Sequence, residues 1–111
     1  MAATLTQYGE VAVLTLKDDL IGQEVDSMNH RADQALANLQ YRIVVDCTHC
    51  HGFDSAALEA LVNLQEKCET EFGAVKVCGL DETCAKILEM TRLSRRFESF
   101  DALEAAVKSF G

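Results

Sequence analysis

The sequence predicts one α/β domain built on a mixed four- or five-stranded sheet. Three observations carry that expectation. The chain has 111 residues, room for one ordinary domain (residues 1–111) and not for two. After an opening pair of β-favouring segments, short apolar runs alternate with stretches of helical periodicity, the order that gives parallel strands joined by right-handed crossovers. The run Ile43-Val44-Val45, apolar at every position between Arg42 and Asp46, suits a strand covered on both faces.

Each element follows from its local pattern. Thr4 to Tyr8 and Val11 to Leu16 are β-favouring stretches around Gly9-Glu10, the makings of a hairpin. Val25, Met28, Ala32, Ala35, Leu36 and Leu39 recur at steps of three and four, the stripe of an amphipathic helix. After the central strand, Leu58, Leu61, Leu64, Cys68 and Phe72 predict a helix from about Asp54 to Phe72, with Gly73 as its stop. Ala74 to Cys78 reads as a strand, and Glu82 to Thr91 as a shorter helix with Cys84, Ile87, Leu88 and Thr91 on one side. Phe97 to Phe100 alternates like a strand. Asp101 is then expected to N-cap a last helix that uses Leu103, Ala106, Val107 and Phe110. The predicted order is β-β-α-β-α-β-α-β-α, with no internal repeat and no proline.

Composition narrows the function. Hydrophobic residues are 49% and charged ones 25%, a soluble and folded balance. A net charge of −8 repels phosphate backbones and anionic lipid, so nucleic acid and membrane surfaces are disfavoured partners. No apolar run approaches the roughly 20 residues that span a bilayer, so direct membrane insertion is not expected. The first residues show neither a basic nor an apolar leader region, and the cysteines number an odd five. Together these point to reduced thiols and a cytoplasmic protein.

The sharpest local string is Cys47-Thr48-His49-Cys50-His51. Cys-x-x-Cys-His is the attachment pattern of a c-type haem, but haem attachment belongs to exported compartments. Two thiolates and two imidazoles could also hold zinc, although five consecutive residues do not readily wrap one ion. The plainer expectation is a strand-end thiol followed by a polar loop, with no metal and no cofactor. Redox chemistry is disfavoured because the helix starts several residues later, too far for its dipole to lower a thiol pKa. Ser55 lies near His49, His51 and Asp54 in sequence, but a catalytic triad is a spatial arrangement. Gly22, Gly52 and Gly79 are isolated, so no phosphate-cradling loop is present. Arg92, Arg95 and Arg96 form the one basic cluster, read as favourable charge at a helix end or as a docking patch for an acidic partner.

The stretch Ile43-Val44-Val45-Asp46-Cys47-Thr48, continued by Phe53-Asp54-Ser55-Ala56-Ala57-Leu58-Glu59-Ala60-Leu61, resembles the central motif of the STAS domain. This is the fold of bacterial anti-sigma factor antagonists and of the cytoplasmic tails of sulfate transporters. The family pattern is an apolar strand ending in Asp-Leu-Ser, a short loop, then Asp-Ser-Ser-Gly-Leu opening a helix. Downstream, Val75 to Leu80, Lys86 to Leu93 with Phe97, and Phe100 to Ala106 resemble the family's later segments in order. The resemblance covers nearly the whole chain and implies a STAS-like sheet with its helices mainly on one side and its first strand at an edge.

It implies a protein–protein interaction module of bacterial transcription regulation, not an enzyme, that works by partner switching. In the family, an antagonist binds an anti-sigma factor that doubles as a serine kinase, and phosphorylation of the second Ser of Asp-Ser-Ser-Gly ends the association. The resemblance places the partner-binding face at Ile21, Asp54, Ser55, Ala56 and Ala57. Three of these depart from the pattern: the phosphoacceptor position is Ala56, the glycine position is Ala57, and a commonly acidic position upstream is Ile21. The expected partner is therefore an anti-sigma factor of the serine-kinase type, bound without the usual phosphoserine. The alternative is a small STAS subunit bracing a membrane transport complex of the lipid-transport ATPase type. A homodimer is compatible with either. No catalytic residue is expected, and Ala57 is expected to face solvent at the helix start.

Overall fold

The computed structural model describes residues 3–111; Met1 and Ala2, the start of the expected domain, lie outside the described residues. The strands β1 (Thr4–Tyr8) and β2 (Val11–Thr15) form an antiparallel hairpin closed at Tyr8 and Val11, with Gly9 at φ 62° in the turn. β3 (Arg42–Asp46), β4 (Ala74–Cys78) and β5 (Ser99–Phe100) add in parallel, giving the order β1-β2-β3-β4-β5 with β1 at one edge. The helices are α1 (Gln23–Ala37), α2 (Ser55–Thr70), α3 (Glu82–Met90) and α4 (Leu103–Lys108). No helix among the described residues is long and apolar enough to cross a membrane.

The period-two alternation of the strands sorts the core into two layers. Ala12, Leu14, Ile43, Val45, Val75 and Val77 face the main core with the buried stripes of α1, α2 and α3. Val11, Val13, Val44 and Cys78 face the other way, onto Ala106 and its half-buried neighbours on α4. Both faces of β2 to β4 are covered, which is why Ile43-Val44-Val45 is apolar throughout. Lys76, a charged residue on the second face, is buried at 8% exposure. Its Nζ donates to Ser109 Oγ (2.8 Å) and lies 4.2 Å from the Phe110 ring centroid, so it holds the end of α4 against the sheet.

Three local expectations are corrected. The strand read over Phe97 to Phe100 shrinks to Ser99–Phe100, because Phe97 turns into the main core and β5 pairs only with Val77 and Cys78. Gln65, 3% exposed on α2, takes the place of the missing strand residues. Its Oε1 accepts from Val75 N (2.6 Å), and its Nε2 donates to Val75 O (3.0 Å) and to Arg96 O. The amide thus extends the β4 ladder by side chain. Second, α4 is preceded by Ala102 as N-cap, with no side-chain cap bond, so Asp101 does not cap it. Third, Gly73 is not the residue that turns the chain at the end of α2. Phe72 takes the left-handed conformation, at φ 64°, while Gly73 is needed for close approach: a Cβ there would sit 1.9 Å from Tyr41 O.

The Gln65 bridge generates a stability prediction. Gln65→Leu keeps the apolar volume but leaves buried backbone groups of Val75 without partners. The expected loss is about 1–3 kcal/mol in unfolding free energy, read by urea denaturation. A change within error would mean that water or the chain at Arg96 replaces the amide.

Candidate functional site

The loops after β2, β3 and β4 all emerge at the C-terminal end of the parallel strands, where open α/β sheets generally present their binding surfaces. Leu20 and Phe53 form a short parallel bridge between the first two loops, with Leu20 N donating to Gly52 O (2.9 Å) and Asp54 N to Leu20 O (3.2 Å). Asp54 then does two things at once. Its Oδ1 accepts from Ala57 N (2.8 Å), capping α2, and its Oδ2 accepts from Gly22 N (3.0 Å), anchoring the residue that precedes α1. The Gly22 bond, followed by the Ala57 bond, holds the Asp54 carboxyl below the usual carboxylate range. Gly22 stands at φ 56° and ψ −126°, a conformation that a side chain would strain.

Asp81 repeats the arrangement one loop along. Its Oδ1 accepts from Cys84 N (2.8 Å), capping α3, and its Oδ2 lies 2.7 Å from His51 Nδ1 in the β3–α2 loop. His51 N in turn donates to Asp19 Oδ1 (2.8 Å). The hydrogen bond with Asp81 raises the His51 pKa above the ordinary imidazole value, while the Cys84 N–H, then His51, lowers that of Asp81. Three loops are thereby tied into one platform. Gly79, at φ 69°, lets the third approach the second: a Cβ there would lie 2.5 Å from Thr48 Oγ1.

On this platform Ser55 and Ala56 are exposed at the first turn of α2, and Ile21 is 50% exposed beside the Gly22 anchor. Asp54 is half-buried. Ala57 is not on the surface: it is 0% exposed, and its methyl belongs to the main core. The expectation that it faces solvent is overturned, because the buried stripe of α2 runs Ala57, Ala60, Leu61, Leu64, Cys68. Leu58, from which the sequence stripe was counted, is only half-buried.

The Cys47 to His51 string is divided by its backbone. Cys47 and Cys50 are fully buried, with Cys50 Sγ donating to Gly52 O (3.3 Å), while His49 and His51 face solvent. Burial pushes both thiols up from their ordinary pKa. Cys84 Sγ donates to Cys50 O (3.4 Å), packing α3 onto the same loop. Among the described residues no three His, Cys, Asp or Glu side chains converge to hold a metal ion.

The model of the family described as "STAS domain" matches residues 2–106, so the chain belongs to the STAS domain family. No curated protein is similar to it in sequence. Among solved structures, it is similar to an anti-sigma-factor antagonist (STAS) domain protein from Planctomyces limnophilus, at 18% identity over 100% of both chains and a TM-score of 0.86. It is similar to the Bacillus cell fate determinant SpoIIAA in its phosphorylated form, at 16% identity over 99% of this chain and 100% of that one, with a TM-score of 0.77. A sulfate transporter family protein from Wolinella succinogenes matches at 13% identity over 94% and 87%, with a TM-score of 0.75. At these identities the likeness is one of fold.

Two predictions follow from this geometry. Ala57→Arg forces a charged chain into a closed core and is expected to cost more than about 3 kcal/mol, whereas exposed Ala56→Arg should stay within about 0.5 kcal/mol of the native protein. Equal melting shifts for the two variants would show that the α2 stripe is misassigned. The second concerns His51. Because its folded pKa is raised, its contribution to stability is complete below the unfolded value of about 6.5 and is lost as pH rises through the folded value. The melting-temperature gap between native protein and His51→Ala should therefore be wider at about pH 6 than at pH 8.5. A gap that widens with pH would contradict the pairing with Asp81.

Proposed function

We propose that this STAS domain docks a partner protein through the start of α2, in the manner of an anti-sigma factor antagonist, without a phosphoserine switch. The observation that carries the reading is Ala56, which is exposed at the position where the family pattern has its phosphoacceptor serine. A phosphate there would add nearly two charges in the middle of a docking face. Ala56 has no hydroxyl to receive one, and Ile21, also exposed on the platform, adds an apolar side chain. Ser55 is a poor substitute, since one helical step turns a side chain by about 100°. The partner in this reading is a cytoplasmic anti-sigma factor of the serine-kinase type in a bacterium, and the role is binding rather than catalysis.

A second reading is compatible with the same residue. A module that braces a subunit of a membrane transport complex needs no phosphoacceptor, so Ala56 suits it equally. The similar sulfate transporter family protein from Wolinella succinogenes supports keeping it.

Affinity capture with the whole protein as bait separates the two. Native protein should retain a kinase-like anti-sigma factor, and Ile21→Arg or Ala56→Arg should abolish the retention without lowering the melting temperature. Recovery of an ATPase subunit instead would favour the transport reading. With a related serine kinase and ATP, the native chain should gain no phosphate and Ala56→Ser should become a substrate. Phosphate found on native Ser55 by mass spectrometry would overturn the loss of the switch.

A further inference from the structure

The loop from α3 to β5 gathers features that the α2 face does not use. Of the clustered arginines, Arg96 is neutralised by Glu69 (3.2 Å), but Arg92 and Arg95 are exposed and have no ion-pair partner among the described residues. Arg92 and Arg95 line one cleft in a chain that carries eighteen Asp and Glu and a net charge of −8. Arg92 is also held at φ 64°, a left-handed conformation that costs a non-glycine residue free energy. Both arginines border an open cleft of about 490 Å³, which shares Glu89 and Ser94 with a neighbouring apolar hollow of about 310 Å³. Leu80, Ala85, Leu88 and Phe97 line that hollow, and Ser99 of β5 closes one side. β5 is the sheet's edge strand, paired with β4 alone.

From this juxtaposition we propose that the groove between α3 and β5 docks an extended acidic segment of a partner protein, with one apolar side chain in the hollow and carboxylates on Arg92 and Arg95. Charge complementarity selects the occupant. The two arginines of the cleft outnumber its one carboxylate, Glu89, which makes it a local cationic site in a chain of net −8 and steers an acidic segment to it. Guanidinium groups bind carboxylates through paired hydrogen bonds, while the hollow rewards burial of a leucine-sized group. The edge strand offers main-chain groups to an extended peptide, the mode by which sheets accept an added strand. The surface is separate from the start of α2, so it stands or falls independently of the proposed function.

The test is titration of ¹⁵N-labelled native protein with a short synthetic peptide of glutamates around a single leucine, followed by amide shifts. Saturable shifts should cluster from Ala85 to Ser99, weaken at high salt, and leave Ile21, Ser55 and Ala56 unmoved. The Arg92→Gln/Arg95→Gln double variant should bind at least tenfold more weakly, a loss of about 1.4 kcal/mol. Ala85→Glu, on the exposed side of α3, should weaken it similarly by placing a carboxylate at the hollow. Absence of saturable shifts at millimolar peptide, shifts elsewhere on the surface, or equal affinity in the double variant would overturn the proposal. So would displacement of the peptide by phosphatidylglycerol vesicles or inorganic phosphate, which would assign the arginines to a phosphate group instead.

Discussion

Two aspartates hold the working end of this domain together, each by dividing its carboxylate between a helix and a loop. Asp54 and Asp81 satisfy first-turn N–H groups that would otherwise lack partners, with one oxygen each. The other oxygens reach Gly22 and His51, 32 and 30 residues away in the chain. A cap that only started a helix would leave three loops free to move separately. Here the same carboxylates fix Ile21, the first turn of α2 and the β4–α3 loop relative to one another. A rigid platform loses less freedom when a partner docks, which is the physical advantage of building the site this way.

That platform rests on a sheet whose interior strands are apolar on both faces, and the few polar groups inside are placed where the ladder fails. Gln65 serves the β4 backbone where β5 is too short to reach, and Lys76 reaches the end of α4. The opposite pole shows a different economy. α1, α2 and α3 are each followed by a non-glycine residue in the left-handed region: Leu39, Phe72 and Arg92. Each costs about 1 kcal/mol relative to glycine. Gly73 cannot relieve this at α2, because it is the only residue that fits against Tyr41.

Charge is distributed as unevenly as strain. Acidic groups dominate the chain and surround His51, while the first turn of α2 exposes the uncharged side chains of Ser55 and Ala56 and the exposed Arg92 and Arg95 sit beyond α3. In the proposed readings, docking at the α2 start would depend on shape and apolar area, and docking in the α3–β5 groove on electrostatics. The two surfaces should differ in their response to salt for that reason.

Local periodicity was enough to read the element order and the mixed sheet, and the family resemblance added β1 at its edge and helices mainly on one face. Helical and strand repeats are properties of neighbouring residues, and so is the missing hydroxyl at position 56. Tertiary structure alone decided the rest. Ala57 and Leu58 are adjacent small and large apolar residues, and only the pitch of α2 against the sheet buries the first completely while leaving the second half-covered. The string from Cys47 to His51 is one motif in sequence, yet the turn after β3 sends its thiols inward and its imidazoles outward. Asp81 with His51, Asp54 with Gly22, and Gln65 with Val75 and Arg96 are hydrogen bonds between separate elements. Nothing in a local pattern encodes them, because each exists only once strand register and helix packing have brought its two ends within hydrogen-bonding distance.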